Sequence, residues 1–74
     1  MEKFVATFGS GQTNAGHYIL IEAESIKDAE NWMVENYGPK WCMVYTWADW
    51  EAWLKTAAVM GFPTEKMLMK VVLE

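Results

Sequence analysis

A glycine-rich segment between two strand-like runs is the feature that most limits how this chain can fold. Residues 7–16 read Thr-Phe-Gly-Ser-Gly-Gln-Thr-Asn-Ala-Gly, and residues 3–8 and 17–23 on either side carry strand-forming residues. A tight hairpin needs only about two to five loop residues, whereas this connection has roughly eight. We therefore predict an antiparallel hairpin whose loop does more than reverse the chain.

The composition of the loop favours contact with another molecule. Gly9, Gly11 and Gly16 allow the backbone to adopt positive φ and allow a close approach by a ligand. Successive backbone N–H groups in such a turn can form a concave site for an anion such as phosphate. The alternative is a long, solvated loop that binds nothing, because short glycine motifs also arise by chance.

Each predicted helix has a start and a stop in the sequence. Ser25 can cap a helix over residues 26–37, which Gly38-Pro39 ends. Its buried stripe is formed by residues at helical spacing: Ile26, Ala29, Trp32 or Met33, and Tyr37. Thr46 can cap a second helix, residues 47–60, which Gly61 and Pro63 end in the same way.

The strands complete an α+β pattern. In the hairpin, Phe4, Ala6, Ile19 and Ile21 alternate with outward residues and face the core. Residues 40–46 show little polar alternation, which predicts a central strand covered on both faces, with Cys42 buried in it. Residues 67–73 predict an edge or interface strand. The order ββαβαβ over residues 1–74 predicts one two-layer domain, a four-stranded, mostly antiparallel sheet with two helices on one face.

Charge and length exclude several classes of function. Six Lys and no Arg against ten acidic residues give a net charge of −4, which disfavours phosphate-driven DNA binding. No apolar run reaches the roughly 18 residues of a membrane span. The amino terminus leads directly into a strand, so we expect no signal peptide. One cysteine allows no disulfide within the chain, which fits a reducing cytosol.

The apolar content predicts an oligomer. Five Trp and six Met are more than the interior of so small a domain can hold, so part of this surface should face another subunit. The alternative is a monomer whose aromatic patch binds a different protein.

Catalysis and metal binding have little support. Cys42 and His17 are the only cysteine and histidine, and nothing in the sequence supplies the third group that would orient such a pair. No paired ligand spacing for zinc is present. We therefore expect a protein that is not an enzyme and uses no metal or cofactor.

Nucleotide binding fits the residue types better. Aromatic rings could stack on a nucleobase, and Gln12 and Asn14 can donate to and accept from a purine edge. Ser10, Thr13 and loop N–H groups could hold phosphate, with Lys40 as a point charge. The aromatic residues considered for stacking are Phe8, His17, Tyr18, Trp41 and Tyr45, and for Trp41 and Tyr45 a core role is the stronger interpretation. The Trp residues of the second helix, Trp47, Trp50 and Trp53, are assigned to core and subunit contact.

The segments 7–12, 18–23 and 37–45 together resemble a set of small bacteriophage proteins. These share a TFGxGQ loop, a YVxIxA strand and an FGxKWxxxY segment after the first helix. The resemblance covers about two-thirds of the chain, and Tyr37 here replaces the usual Phe. Some of these proteins resemble the anti-CBASS sponge proteins, which bind cyclic dinucleotides or related nucleotide second messengers and keep them from host defence effectors.

The resemblance implies a non-enzymatic homo-oligomer, a dimer or tetramer, that sequesters such a nucleotide in the host cytoplasm. The predicted ligand-binding residues are Phe8, Gly9, Ser10, Gly11, Gln12, Thr13, His17, Lys40, Trp41 and Tyr45. The alternative function is a phage-encoded inhibitor that binds a host protein directly through its Trp- and Met-rich surface.

Overall fold

A computed structural model describes residues 1–73 and confirms the α+β class and the order ββαβαβ. The elements in chain order are β1 (Glu2–Thr7), β2 (His17–Ala23), α1 (Ile26–Tyr37), β3 (Val44–Thr46), α2 (Trp47–Met60) and β4 (Lys66–Val72). The hairpin, both helices and the last strand therefore lie where the sequence pattern places them, to within a residue or two.

The four strands form one mixed sheet in the order β3-β1-β2-β4. β1 pairs antiparallel with β2 and with β3, and β4 runs parallel to β2. β4 is an edge strand, as predicted. The prediction of a central third strand over residues 40–46 is wrong, because β3 has three residues and lies at the other edge.

The segment before β3 is held beside β1 without becoming strand. The Cys42 N–H donates to the Thr7 carbonyl and the Thr7 N–H to the Met43 carbonyl, both at 2.8 Å. The Trp41 indole N–H donates back to the Gly38 carbonyl at 2.8 Å, which keeps the chain after Pro39 in a tight turn. Cys42 is consequently exposed rather than buried in a strand.

The two helices pack on opposite faces of the sheet, so the predicted two-layer arrangement with both helices on one face is wrong. Ala29 and Met33 of α1 join the core cluster that contains Phe4 and Ile21. Trp50 of α2 instead contacts Tyr18 and Tyr45 on the other face. The physical reason is that β1 and β2 are apolar on both faces, with Val5 fully buried on the α2 side, and each face needs a cover.

Local capping fixes the helix ends as the sequence indicates. The Ser25 hydroxyl accepts from the Asp28 N–H, and the Thr46 hydroxyl from the Asp49 N–H, each at 3.2 Å. Gly38 and Gly61 follow the two helices. Within the predicted stripe of α1, Ala29 and Met33 are buried but Ile26 is exposed, because it lies in the first turn, beyond the edge of the core.

Candidate functional site

The loop between β1 and β2, residues 8–16, is a folded chain of turns and is called the glycine loop below. Three backbone bonds span it: Gln12 N–H to the Gly9 carbonyl at 3.1 Å, Ala15 N–H to the Gln12 carbonyl at 3.0 Å, and His17 N–H to the Asn14 carbonyl at 3.1 Å. Each closes a β-turn. The glycine loop therefore has a defined backbone that could hold groups in fixed positions.

The Gln12 side chain braces the entrance of the loop. Its Oε1 atom accepts from the Gly9 N–H at 2.6 Å, so this oxygen is already used inside the protein. Gly11 and Gly16 adopt φ of 88° and 85°, as the turns require, but Gly9 does not have positive φ. The expectation of positive φ is thus wrong for Gly9 and correct for the other two glycines.

Several backbone donors of the loop remain free. Within residues 1–73, no intramolecular acceptor pairs with the N–H groups of Ser10, Gly11, Thr13, Asn14 and Gly16. Ser10, Gly11 and Thr13 are exposed. A loop with fixed, exposed N–H donors can bind an anion by hydrogen bonding without any arginine.

The predicted aromatic walls of the site divide between the two faces of the sheet. Phe8 is buried in the α1-side core and meets Tyr37 edge to face, with 5.2 Å between ring centroids. Trp41 packs against the same core. Tyr45 lies on the α2 face, where its ring is 5.9 Å from that of Trp50. One planar ligand therefore cannot stack on Trp41 and Tyr45 together, and the Phe8 ring is covered.

The remaining predicted residues lie near the loop. Lys40 is exposed just before Trp41, in the segment that runs beside the end of β1. His17 is half-buried at the start of β2, opposite Lys66, and its Nδ1 atom is buried without a hydrogen-bond partner. The structure brings these residues to the same end of the sheet as the glycine loop.

A second feature lies on the α2 face and was not predicted as a ligand site. A cavity of about 330 Å³ opens between α2 and the chain that leads into β4, and it is called the aromatic cleft below. Its walls include Gly16, Trp50, Trp53, Phe62, Pro63 and Glu65. The Trp53 and Phe62 rings contact each other with 6.0 Å between centroids. Gly16 belongs to both features, so the aromatic cleft adjoins the glycine loop.

Glu65 is the acidic group of the aromatic cleft. Its Oε2 atom is buried without a hydrogen-bond partner, and desolvation raises the pKa of this carboxyl above its usual value. Desolvation, followed by the charges of Cys42 and Glu65, also raises the pKa of the Tyr45 hydroxyl. A carboxylate that lacks donors in a partly apolar wall is favourable for a ligand that brings its own N–H groups.

The sequence did not predict the aromatic cleft, because the Trp residues of α2 were assigned to the core and to subunit contact. Trp50 is indeed core, with 2% of its surface exposed, while Trp53 is half-buried and presents its ring to the cavity. The sequence feature that could have indicated the cleft is the run Gly61-Phe62-Pro63, followed by Glu65 just before the apolar strand β4. That pattern places a carboxylate beside aromatic rings only once β4 is known to run next to β2.

Residues 1–73 contain neither a metal-binding cluster nor a membrane-spanning helix. Within residues 1–73, no group of three or more His, Cys, Asp or Glu is arranged to hold a metal ion. Over the same residues, neither helix has the length and apolar character needed to cross a bilayer. Comparison with known proteins found no matching family model, no matching curated protein and no matching solved structure.

Proposed function

We propose that this chain binds a nucleotide second messenger of the cyclic dinucleotide class and sequesters it without making or breaking a bond. In a phage-infected host cytoplasm, this would block antiphage defence signalling. The observation that carries the proposal is the junction at Gly16, where a loop with free backbone donors meets a cleft walled by aromatic rings. A nucleotide needs both surfaces, one for its phosphate and one for its base.

Phosphate would be held by local donors rather than by a general positive field. The protein has a net charge of −4 and no arginine, so long-range attraction to a phosphodiester is absent. The free N–H groups of Gly11 and Thr13, with their neighbours, can donate to phosphate oxygens, and the exposed Lys40 can add one positive charge. Affinity should therefore depend on the loop geometry more than on ionic strength.

We also propose a homo-oligomer, a dimer or a tetramer, that assembles through β4. This edge strand has an unpaired side and exposes Met67, Leu68, Met69 and Val72. Long apolar edge strands readily pair with a second chain. Assembly would cover this surface and could place two sites close enough to share one dinucleotide.

The direct test is binding followed by recovery of the ligand. The purified protein is titrated by calorimetry with a panel of cyclic dinucleotides, and each complex is then heat-denatured and its ligand analysed by mass spectrometry. We expect saturable binding of at least one member and recovery of that nucleotide intact. Recovery of a cleaved product would overturn sequestration, and absence of binding across the panel would overturn the proposed ligand class.

Variants at two glycines make the test specific to the loop. Gly11→Val places a branched side chain where φ is 88°, which distorts the turns, and should weaken binding at least tenfold. Gly9→Ala is the control, and Gly11→Ala matches it in side-chain size. At Gly9, φ is not positive and an added Cβ would meet Gln12 Oε1 at an ordinary 3.5 Å. Equal affinities for the variants at both positions would contradict a role for the loop.

The exposed surface of β4 favours a second candidate function, direct inhibition of a host protein. Methionine side chains adapt to varied partners, and Met67 and Met69 are both exposed on this strand. If this chain inhibits a host protein directly, no nucleotide should raise its melting temperature. If it binds a nucleotide, a concentration of 100 times the Kd should raise the free energy of unfolding by about 2.7 kcal/mol. Gly11→Val should leave such inhibition unchanged.

A further inference from the structure

We infer that the aromatic cleft is the base subsite of the bound nucleotide and that it selects a guanine-type ring, held by stacking and by paired N–H donation to Glu65. This inference rests on the proposed nucleotide function but goes beyond it. The residues predicted from the sequence for stacking on a base were Phe8, His17, Tyr18, Trp41 and Tyr45. Of these, Trp41 and Tyr45 lie on opposite faces of the sheet. The cleft is the place near the loop where flat rings and an acceptor occur together.

The shape of the cleft fits one heteroaromatic base. Its volume of about 330 Å³ lies at the lower end of the range of small-molecule pockets, about 300–1,000 Å³. Trp53 and Phe62 supply ring surfaces, and Pro63 adds an apolar wall. Stacking on such surfaces tolerates any base, so stacking alone gives affinity without choosing between guanine and adenine.

The Glu65 carboxylate provides the selectivity for guanine over adenine. An ionised carboxylate only accepts hydrogen bonds, and its two oxygens can take two parallel donors. The pairing edge of guanine presents two adjacent donors, the ring N1–H and the exocyclic 2-amino group. The corresponding edge of adenine presents an unprotonated ring nitrogen, which would face the carboxylate oxygen with no proton between them. Glu65 lines the cleft, and its buried Oε2 atom has no hydrogen-bond partner. A rotation of the carboxylate toward the cavity would let both oxygens pair with guanine and not with adenine.

The position of Gly16 links the base to the phosphate. Gly16 lies in the wall of the cleft and ends the glycine loop, and its carbonyl accepts from the Lys66 N–H at 3.1 Å. That bond ties the loop to the residue next to Glu65. A base in the cleft would consequently place its sugar and phosphate toward the loop donors, rather than toward the far edge of the sheet.

Nucleosides test this inference separately from the proposed function, because they carry a base but no phosphate. Saturation-transfer NMR and calorimetry with guanosine, inosine and adenosine should give the order guanosine, inosine, adenosine, from tightest to weakest. Inosine keeps the ring N–H but lacks the 2-amino donor. Glu65→Gln preserves size and should weaken guanosine binding at least tenfold, because it removes a charged hydrogen bond. Adenosine binding should change little.

Trp53→Ala should weaken all three nucleosides, and Trp47→Ala, on the same helix but outside the cleft, is its control. Circular dichroism of each variant verifies folding. If a cyclic dinucleotide binds wild type, Glu65→Gln and Trp53→Ala equally, the inference is overturned and the proposed function stands. If guanosine binds through Glu65 but no nucleotide does, sequestration fails and the cleft remains a guanine site. If adenosine binds as tightly as guanosine, the selectivity is overturned.

Discussion

The Tyr18 and Trp50 rings lie 5.0 Å apart between centroids, tilted by 48°, and this contact joins α2 to the central strand β2. Trp50 also contacts Tyr45 of β3, so one indole bridges two strands. Because only a residue on the α2 face can reach both rings, the contact determines which side of the sheet α2 covers. The same packing forms one wall of the aromatic cleft.

Trp50→Ala should therefore be among the most destabilising single changes in the chain. Truncation of a buried Trp removes its packing and leaves a cavity, at a cost of about 3–5 kcal/mol. Trp47→Ala is the control on the same helix, because Trp47 is 39% exposed and its ring interacts with the Lys3 ammonium, 5.2 Å away. It should cost about 1 kcal/mol. Urea unfolding followed by circular dichroism measures both, and equal losses would contradict the assigned packing.

The glycine loop gives a second prediction, on stability rather than binding. Gly11→Ala forces an alanine to adopt φ of 88° and should lower the free energy of unfolding by about 1–2 kcal/mol. Gly9→Ala meets no such strain and should change stability by less than about 0.5 kcal/mol. Chemical denaturation separates the two. A larger loss for Gly9→Ala than for Gly11→Ala would contradict the strained positive φ assigned to Gly11.

Gln12→Ala gives a third prediction, because it removes the acceptor of the Gly9 N–H. The loss of one hydrogen bond should cost about 1 kcal/mol. It should also speed hydrogen exchange at the Gly9 amide and leave exchange at Val5, in the centre of β1, unchanged. NMR exchange rates at these two amides test this. Unchanged exchange at Gly9 would show that the Gln12 side chain does not brace the loop.

Local features of the fold could be predicted from the sequence, since each depends on residues close in the chain. The caps at Ser25 and Thr46 and the hairpin over β1 and β2 follow from short-range patterns. The placement of β3 and of α2 could not be predicted. Residues 40–43 have the composition of a strand, yet they follow the turn at residues 38–39 and lie beside β1 without forming a strand. The face that α2 covers is decided by contacts between residues far apart in sequence.

The candidate site shows the same limit. The glycine loop is contiguous, and the sequence indicated it directly. The aromatic cleft combines Gly16, Trp53 and Glu65, which lie in three separate segments. Trp residues at helical spacing are as consistent with a buried core stripe as with the wall of a ligand site. Trp50, for example, belongs to the core. The sequence alone does not show that Glu65 lies near Trp53. The parallel pairing of β4 with β2 is what places the Glu65 carboxylate beside α2.

The pH dependence of stability should reveal the desolvation of Glu65. Folding raises the pKa of this carboxyl above 4.5, so the folded state binds the proton more tightly than the unfolded state. Stability contributed by this group is complete below the unfolded pKa and falls as the pH rises through the raised value. Glu65→Gln should remove this fall, so that its stability relative to wild type increases as the pH rises from the unfolded pKa through the raised value.

Glu22→Gln provides the opposite control. The hydrogen bond from Lys70, with Nζ–Oε2 at 2.9 Å, lowers the pKa of Glu22, so its contribution is present above the unfolded pKa and is lost as the pH falls through the lowered value. Glu22→Gln should therefore lose stability relative to wild type as the pH rises. Thermal unfolding from below the lowered pKa of Glu22 to above the raised pKa of Glu65 tests both variants. Parallel trends for the two would contradict the assigned environments.

The proposed assembly through β4 can be tested with two identical substitutions at different places. Val72, on β4, is 52% exposed, and Val59, near the end of α2, is 88% exposed. The Leu73 N–H donates inward to the Glu22 carbonyl at 2.8 Å, so the Val72 N–H, one residue earlier in the strand, points to the free edge. Val72→Lys places a second charge beside Lys70 on that edge, and charged edge strands resist pairing with another chain.

Sedimentation velocity over a range of concentrations should show wild type and Val59→Lys as dimers or tetramers and Val72→Lys shifted toward monomer. Both substitutions replace valine with lysine on an exposed surface, so a general effect of charge on solubility would act on both. If only Val59→Lys shifted the protein toward monomer, the subunit interface would lie on α2 rather than on β4. A wild-type protein that stays monomeric at every concentration would exclude assembly through β4 and leave its apolar edge for a different partner.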